Sequence, residues 1–93
     1  MDRVKDKVIM ITGAASGLGL ADARALVSQG AKVVMTDIDA EAGQSHASDI
    51  GATFFTQDVS NEASWDELMG QVEQQFGRLD GLVNNAGIAP IAT

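Results

Sequence analysis

Thr12-Gly13-Ala14-Ala15-Ser16-Gly17-Leu18-Gly19 joins two different periodicities. Before it, Val8-Ile9-Met10-Ile11 is a short unbroken apolar run bounded by Lys7. Such a run fits a strand buried on both faces of a parallel sheet. After it, Gly19, Ala23, Leu26 and Val27 recur at i, i+4, i+7 and i+8, which is one face of a helix. Asp22, Arg24, Ser28 and Gln29 point elsewhere, and Gly30 stands where a left-handed cap would end that helix. A glycine pattern that follows a strand and opens a helix has a mechanical meaning. Gly13 lets the chain turn sharply, Gly17 lets a diphosphate approach the backbone, and Gly19 lets helix and sheet pack closely. The amides and the positive dipole end of the helix would receive that anion. The spacing is G-x-x-x-G-x-G, and no Gly-Lys-Ser/Thr follows, which argues against a nucleoside-triphosphate loop.

The cycle repeats along the chain. Val33-Val34-Met35 is a second apolar run, ending in Thr36-Asp37. A weaker helix is expected from about Asp39, its cap, to Ile50, closed by Gly51. Ala52-Thr53-Phe54-Phe55-Thr56 is rich in β-formers and reads as a third strand. Then Trp65, Leu68, Met69, Val72 and Phe76 make the clearest helical face, with Ser60 or Asn61 to cap its start and Gly77 to end it. Leu82-Val83 begins a fourth strand that runs into Asn84-Asn85-Ala86-Gly87. The order β-α-β-α-β-α-β predicts an α/β fold, a parallel sheet with helices on both faces.

Composition bounds the partners. The 93 residues are 45% apolar and 20% charged, a globular composition for one domain at most. The net charge of −7 disfavours nucleic acid and anionic membrane surfaces. There is no cysteine, so disulfides, thiol catalysis and zinc-thiolate sites are excluded. No apolar stretch approaches the ~20 residues of a membrane span, and the mixed charges of Met1 to Lys7 do not form a signal peptide. The cytoplasm is the expected location.

The candidate site residues gather at strand ends. Asp37 ends the second strand, where a carboxylate can accept from the hydroxyls of an adenosine ribose. Asp58 and Val59 follow the third strand, and Asn84-Asn85 end the fourth on the same edge. Two adjacent amides there need partners if they are buried. In this order, Thr12-Gly13-x-x-x-Gly17-x-Gly19, Asp37, Asp58-Val59 and Asn84-Asn85-Ala86-Gly87 resemble the short-chain dehydrogenase/reductase family, in its single-domain branch. The likeness covers the whole chain except its last few residues.

The resemblance implies an incomplete Rossmann-type doubly wound sheet of four strands in the order 3-2-1-4, with three helices. It implies NAD as cofactor, with Gly13, Ser16, Gly17, Leu18 and Gly19 around the phosphates. Asp37 would hold the ribose with Ile38 beside it, Asp58 and Val59 the adenine, and the backbone of Asn85, Ala86 and Gly87 would lie along the cofactor. Asn84 would brace the sheet. The implied activity is hydride transfer between NAD and a secondary alcohol or ketone, by a full-length homo-oligomer. The family's catalytic Ser, Tyr-x-x-x-Lys and further Asn lie C-terminal to the Asn-Asn-Ala-Gly element. Here there is no tyrosine, and Lys5, Lys7 and Lys32 are all N-terminal to it, so no residue matches a catalytic role. Residues 1–93 are thus expected to be the N-terminal part of one NAD(P)-binding domain whose catalytic part follows Thr93. A different class of function, a non-catalytic dinucleotide sensor, is told apart by the absence of Tyr-x-x-x-Lys downstream. His46 is expected at the surface, and no cluster has metal-ligand spacing.

Overall fold

The computed structural model describes residues 4–58 and 60–85. Its elements are β1 (Val8–Thr12), α1 (Gly17–Ser28), β2 (Lys32–Asp37), α2 (Ala40–Ile50), β3 (Thr53–Thr56), α3 (Glu62–Phe76) and β4 (Gly81–Asn84). The four strands are parallel and lie in the order β3-β2-β1-β4. The doubly wound pattern expected from the sequence is therefore present.

Strand parity sorts the core into two layers. On one face Ile11, Val33 and Met35 pack with Ala23 of α1 and Ala47 of α2. On the other, Val8, Met10 and Val34 pack with Leu68 and Val72 of α3. Met10, Ile11, Val34 and Met35 are fully buried, each contributing roughly 1.5–3 kcal/mol of transfer free energy. This two-sided burial is why β1 and β2 read as unbroken apolar runs rather than alternating ones. Trp65, Met69 and Phe76 of the α3 stripe are partly buried against the second layer.

The ends of the elements follow local chemistry. Asn61, not Ser60, caps α3: its side chain accepts from the Ser64 N–H at 3.2 Å. Asp39 caps α2 in the same way, accepting from Ala42 at 3.1 Å. Gly30 (φ 91°), Gly51 (φ 84°) and Gly77 (φ 80°) are left-handed at or just past the helix ends. After α1, the Gly30 N–H donates to Val27 and the Ala31 N–H to Leu26, closing the helix with a Schellman pair. β2 extends through Thr36 and Asp37, because the ladder to β1 and β3 continues past the last apolar side chain.

At the amino ends of β1 and β4, Asp80 acts as a clamp. Its Oδ2 accepts from the Val8 N–H at 2.8 Å, and its own N–H donates to the Val8 carbonyl at 2.8 Å. Arg78 donates to Oδ1 at 2.6 Å. The Arg78 guanidinium first, and the Val8 amide second, hold the Asp80 carboxyl below the usual carboxylate range. With the amino edge tied down, the carboxyl edge carries the candidate site. No helix among the described residues is long and apolar enough to cross a membrane.

Candidate functional site

The carboxyl ends of the strands bring the predicted residues to one edge. The Ala14 N–H donates to the Thr36 carbonyl at 3.0 Å, which pins the glycine turn to β2. Gly13 (φ 64°) and Gly17 (φ 60°) are left-handed, so the turn needs glycine at both places. They differ from Gly19. A Cβ at Gly19 would lie 2.3 Å from the Gly13 carbonyl oxygen, so α1 sits directly on the turn. A Cβ at Gly17 would meet nothing within 4 Å. Protein packing therefore leaves the approach to the Gly17 backbone open. Ser16 starts α1 with extended backbone and no capping bond from its side chain. The first-turn amides, which have no intrahelical partner, face that opening without a protein carboxylate in the turn.

Asp37 is the last residue of β2 and lies opposite Thr56 of β3. Its carboxylate is already engaged. Oδ2 accepts from the Ala15 N–H at 3.0 Å and Oδ1 from the Asp39 N–H at 3.1 Å. Asp37 thus ties the glycine turn to the start of α2, a task the sequence did not disclose. A carboxylate offers about four lone-pair directions, so acceptor capacity remains for a ligand.

Asp58 lies beyond β3, held in a tight turn by Ser60. The Ser60 hydroxyl donates to Asp58 Oδ1 at 2.6 Å and its N–H donates at 3.0 Å. The hydroxyl bond first, then the amide bond, lowers the Asp58 carboxyl below its ordinary value. It is therefore an ionised acceptor at neutral pH. On β4, Asn84 is in register with Thr12, whose hydroxyl donates to Asn84 Oδ1 at 2.9 Å. Asn84 is thereby joined to β1. The neighbouring Asn85 has a buried Nδ2 with no partner among the described residues. Val59, Ala86 and Gly87 lie outside the described residues.

Two apolar side chains on this edge stand in the open. Leu18 is 71% and Ile38 70% exposed, one following the glycine turn and one following Asp37. Exposed large apolar groups beside an open polar cradle are what a flat, partly apolar ligand would cover. An open Gly17 backbone, a two-oxygen acceptor at Asp37, an ionised Asp58 and an orphaned Asn85 amide fit a dinucleotide. Among the described residues no group of three or more His, Asp and Glu side chains could hold a metal ion. His46 is half-buried on α2, away from this edge. Sequence reasoning missed Gln57, which is 2% exposed, with both amide atoms unpartnered among the described residues. Its polar character hid its burial.

Comparison with known proteins gives the same picture. The family model described as "short chain dehydrogenase" matches residues 7–93. The chain is 45% identical over 89 residues to 3-beta-hydroxysteroid dehydrogenase of Comamonas testosteroni, covering 94% of the chain and 35% of that protein. It is 46% identical over 92 residues to the NADP-dependent (R)-specific alcohol dehydrogenase of Lentilactobacillus kefiri, covering 95% of the chain and 36% of that protein. It superposes, with a TM-score of 0.82 and 36% identity, on 3-ketoacyl-(acyl-carrier-protein) reductase from Brucella melitensis, solved in complex with NADH. That match covers 85% of the chain and 33% of the reductase. The chain thus spans about a third of the length of the relatives it matches.

Proposed function

The chain belongs to the short-chain dehydrogenase family, and from that membership we propose that it forms the cofactor-binding half of an NAD-dependent oxidoreductase acting on a secondary alcohol or ketone. NAD, when bound, supplies the hydride acceptor. The residues of this chain bind and aim it. The backbone of Gly17 and the first turn of α1 receive the diphosphate, with Ser16 and Leu18 beside it. Asp37 accepts from the ribose hydroxyls, Ile38 covers the adenosine, and Asp58 accepts from the adenine amino group. Val59 and the backbone from Asn85 to Gly87 complete the cradle. These 93 residues hold no tyrosine, so no proton-transfer group is assigned among them.

Family membership does not choose between NAD and NADP, because a relative 46% identical is NADP-dependent. The choice of NAD rests on Asp37. NADP carries a 2′-phosphate of about −1.5 to −2 charge, as a phosphorylated side chain does. That charge would face the Asp37 carboxylate with no cation among the described residues placed to offset it. Among the described residues, Lys5, Lys7 and Lys32 precede or begin strands at the opposite edge, and Arg78 is paired with Asp80. Arg24 lies in the second turn of α1. The test is steady-state kinetics of the full-length protein with both cofactors and a panel of secondary alcohols. At least a ~hundredfold preference for NAD in kcat/KM is expected, about 3 kcal/mol. Equal use of the two cofactors would overturn the assignment of Asp37 to the ribose.

A further inference from the structure

Gln57 and Thr36 are both buried, at 2% and 0% exposure. Three of their side-chain atoms, Thr36 Oγ1, Gln57 Nε2 and Gln57 Oε1, have no hydrogen-bond partner among the described residues. Thr36 is in register with Phe55 of β3, so strand alternation puts Thr36, Phe55 and Gln57 on the same side of the sheet. Gln57 stands one residue past β3, and its N–H bond to the Asp37 carbonyl continues the ladder, so the hydroxyl and the amide lie on the same side of adjoining segments. Buried polar side chains are almost always bonded, to protein or to ordered water. A buried water typically makes about three hydrogen bonds, and a hydroxyl and an amide offer it both donors and acceptors.

The place of this pair matters. Thr36 immediately precedes Asp37, and Gln57 immediately precedes Asp58. The Gln57 N–H also donates to the Asp37 carbonyl at 3.0 Å. We propose that an ordered water bridges the Thr36 hydroxyl and the Gln57 amide, and that this bridge sets the separation of Asp37 from Asp58. Thr36 and Gln57 are then positioning residues for the adenosine end of the crevice. Neither touches the ligand. β3 has one strand neighbour among the described residues, so a second link to β2 near its carboxyl end restrains the part of the sheet that is otherwise held on one side. The effect on Asp37 and Asp58 rests on the cofactor assignment above, whereas the water itself does not.

The experiment uses the full-length protein and the variants Thr36→Val, Gln57→Met, the double variant and Thr36→Ser. Oxygen-17 relaxation dispersion of solvent water counts long-lived internal waters. Each of Thr36→Val, Gln57→Met and the double variant should lose the same single water, and Thr36→Ser should keep it. AMP affinity, measured by calorimetry, should fall about two- to fivefold in the first three, the range of a modest coupling. Affinity for nicotinamide mononucleotide should stay unchanged, which a general loss of stability would not allow. An unchanged water count, or a crystal structure showing the amide bonded directly to Thr36, would overturn the bridge. Unchanged AMP affinity with the water gone would overturn its positioning role. If Gln57→Met fails to fold, the nearly isosteric Thr36→Val decides alone. A wild-type protein that binds no AMP would refute the cofactor assignment, and the water count would still judge the bridge.

Discussion

Adding one methyl group at Gly19 and at Gly17 should damage the protein in two different ways. At Gly19 the new Cβ lies 2.3 Å from the Gly13 carbonyl oxygen and 3.1 Å from the Ala14 Cα, where ordinary contact begins at 3.4 Å. Both obstacles are backbone, so α1 must retreat by about 1 Å from a turn pinned to β2. Overpacking of this kind costs about 1–3 kcal/mol or more, against a gain of about 0.5–1 kcal/mol for alanine over glycine in a helix. Gly19→Ala should therefore destabilise by roughly 1–2 kcal/mol and weaken NAD binding, because the helix amides move with the helix. At Gly17 the methyl group meets no atom within 4 Å among the described residues outside its own neighbours in the turn and helix. Its folding cost is that of a left-handed alanine, about 1–2 kcal/mol. The same methyl group stands where the diphosphate would approach, so NAD affinity should fall about tenfold or more, some 1.4 kcal/mol. Urea unfolding and NAD calorimetry on the full-length protein separate the terms. A Gly19→Ala protein as stable as wild type would refute the close seat of α1. A Gly17→Ala protein with wild-type NAD affinity would refute passage of the diphosphate over that residue.

Asp37→Ala should do more than relax cofactor choice: it removes the acceptor for the Ala15 and Asp39 amides, costing about 1–2 kcal/mol of stability. Unfolding measurements beside the NAD-to-NADP ratio check this, and unchanged stability would mean those bonds are absent in solution. Asp80→Asn should flatten the acid limb of the stability curve. Because the folded carboxyl titrates below its ordinary value of 3.8, its stabilisation is present above about pH 4 and is lost as pH falls through the folded value. Acid titration followed by circular dichroism checks this, and an unchanged acid limb would count against the clamp. Gly43→Ala would place a Cβ 2.1 Å from the Phe54 ring and should cost about 1–3 kcal/mol. Phe54→Leu should recover part of that loss, so a double-mutant cycle that is strictly additive would contradict the contact.

Local patterns carried most of the fold. β1 and β2 were legible because strands covered on both sides must be apolar throughout, and α3 because Leu68 and Val72 alternate with a solvated face at helical spacing. The end of β2 at Asp37 was legible, whereas the end of β1 was less so for a physical reason. Thr12 is polar, and polar residues ordinarily close an apolar run. Here the ladder continues through it, and its hydroxyl bonds to Asn84. Gly43 carries no signal of its own within the weak second helix. Its purpose depends on Phe54, and no local pattern shows which helix position a ring on the next strand will touch.

The same limit explains what could be known of the site. Gly13 and Gly17 announce themselves because the left-handed backbone of the turn constrains residue type, and Gly19 because α1 sits directly on that turn. The state of the site's side-chain atoms is a long-range matter. Asp37 accepts one bond from each side through its two oxygens, and that arrangement fixes the carboxylate plane before any ligand arrives. About two of its four lone-pair directions then remain, the number needed for the two hydroxyls of one ribose. A preorganised acceptor spends little on ordering when it binds, whereas a 2′-phosphate would meet the same immobile oxygens and could not turn them aside. Under the proposed assignment of Asp37 to the ribose, selectivity in this crevice would follow from the two backbone amides that hold Asp37 still, as much as from its charge.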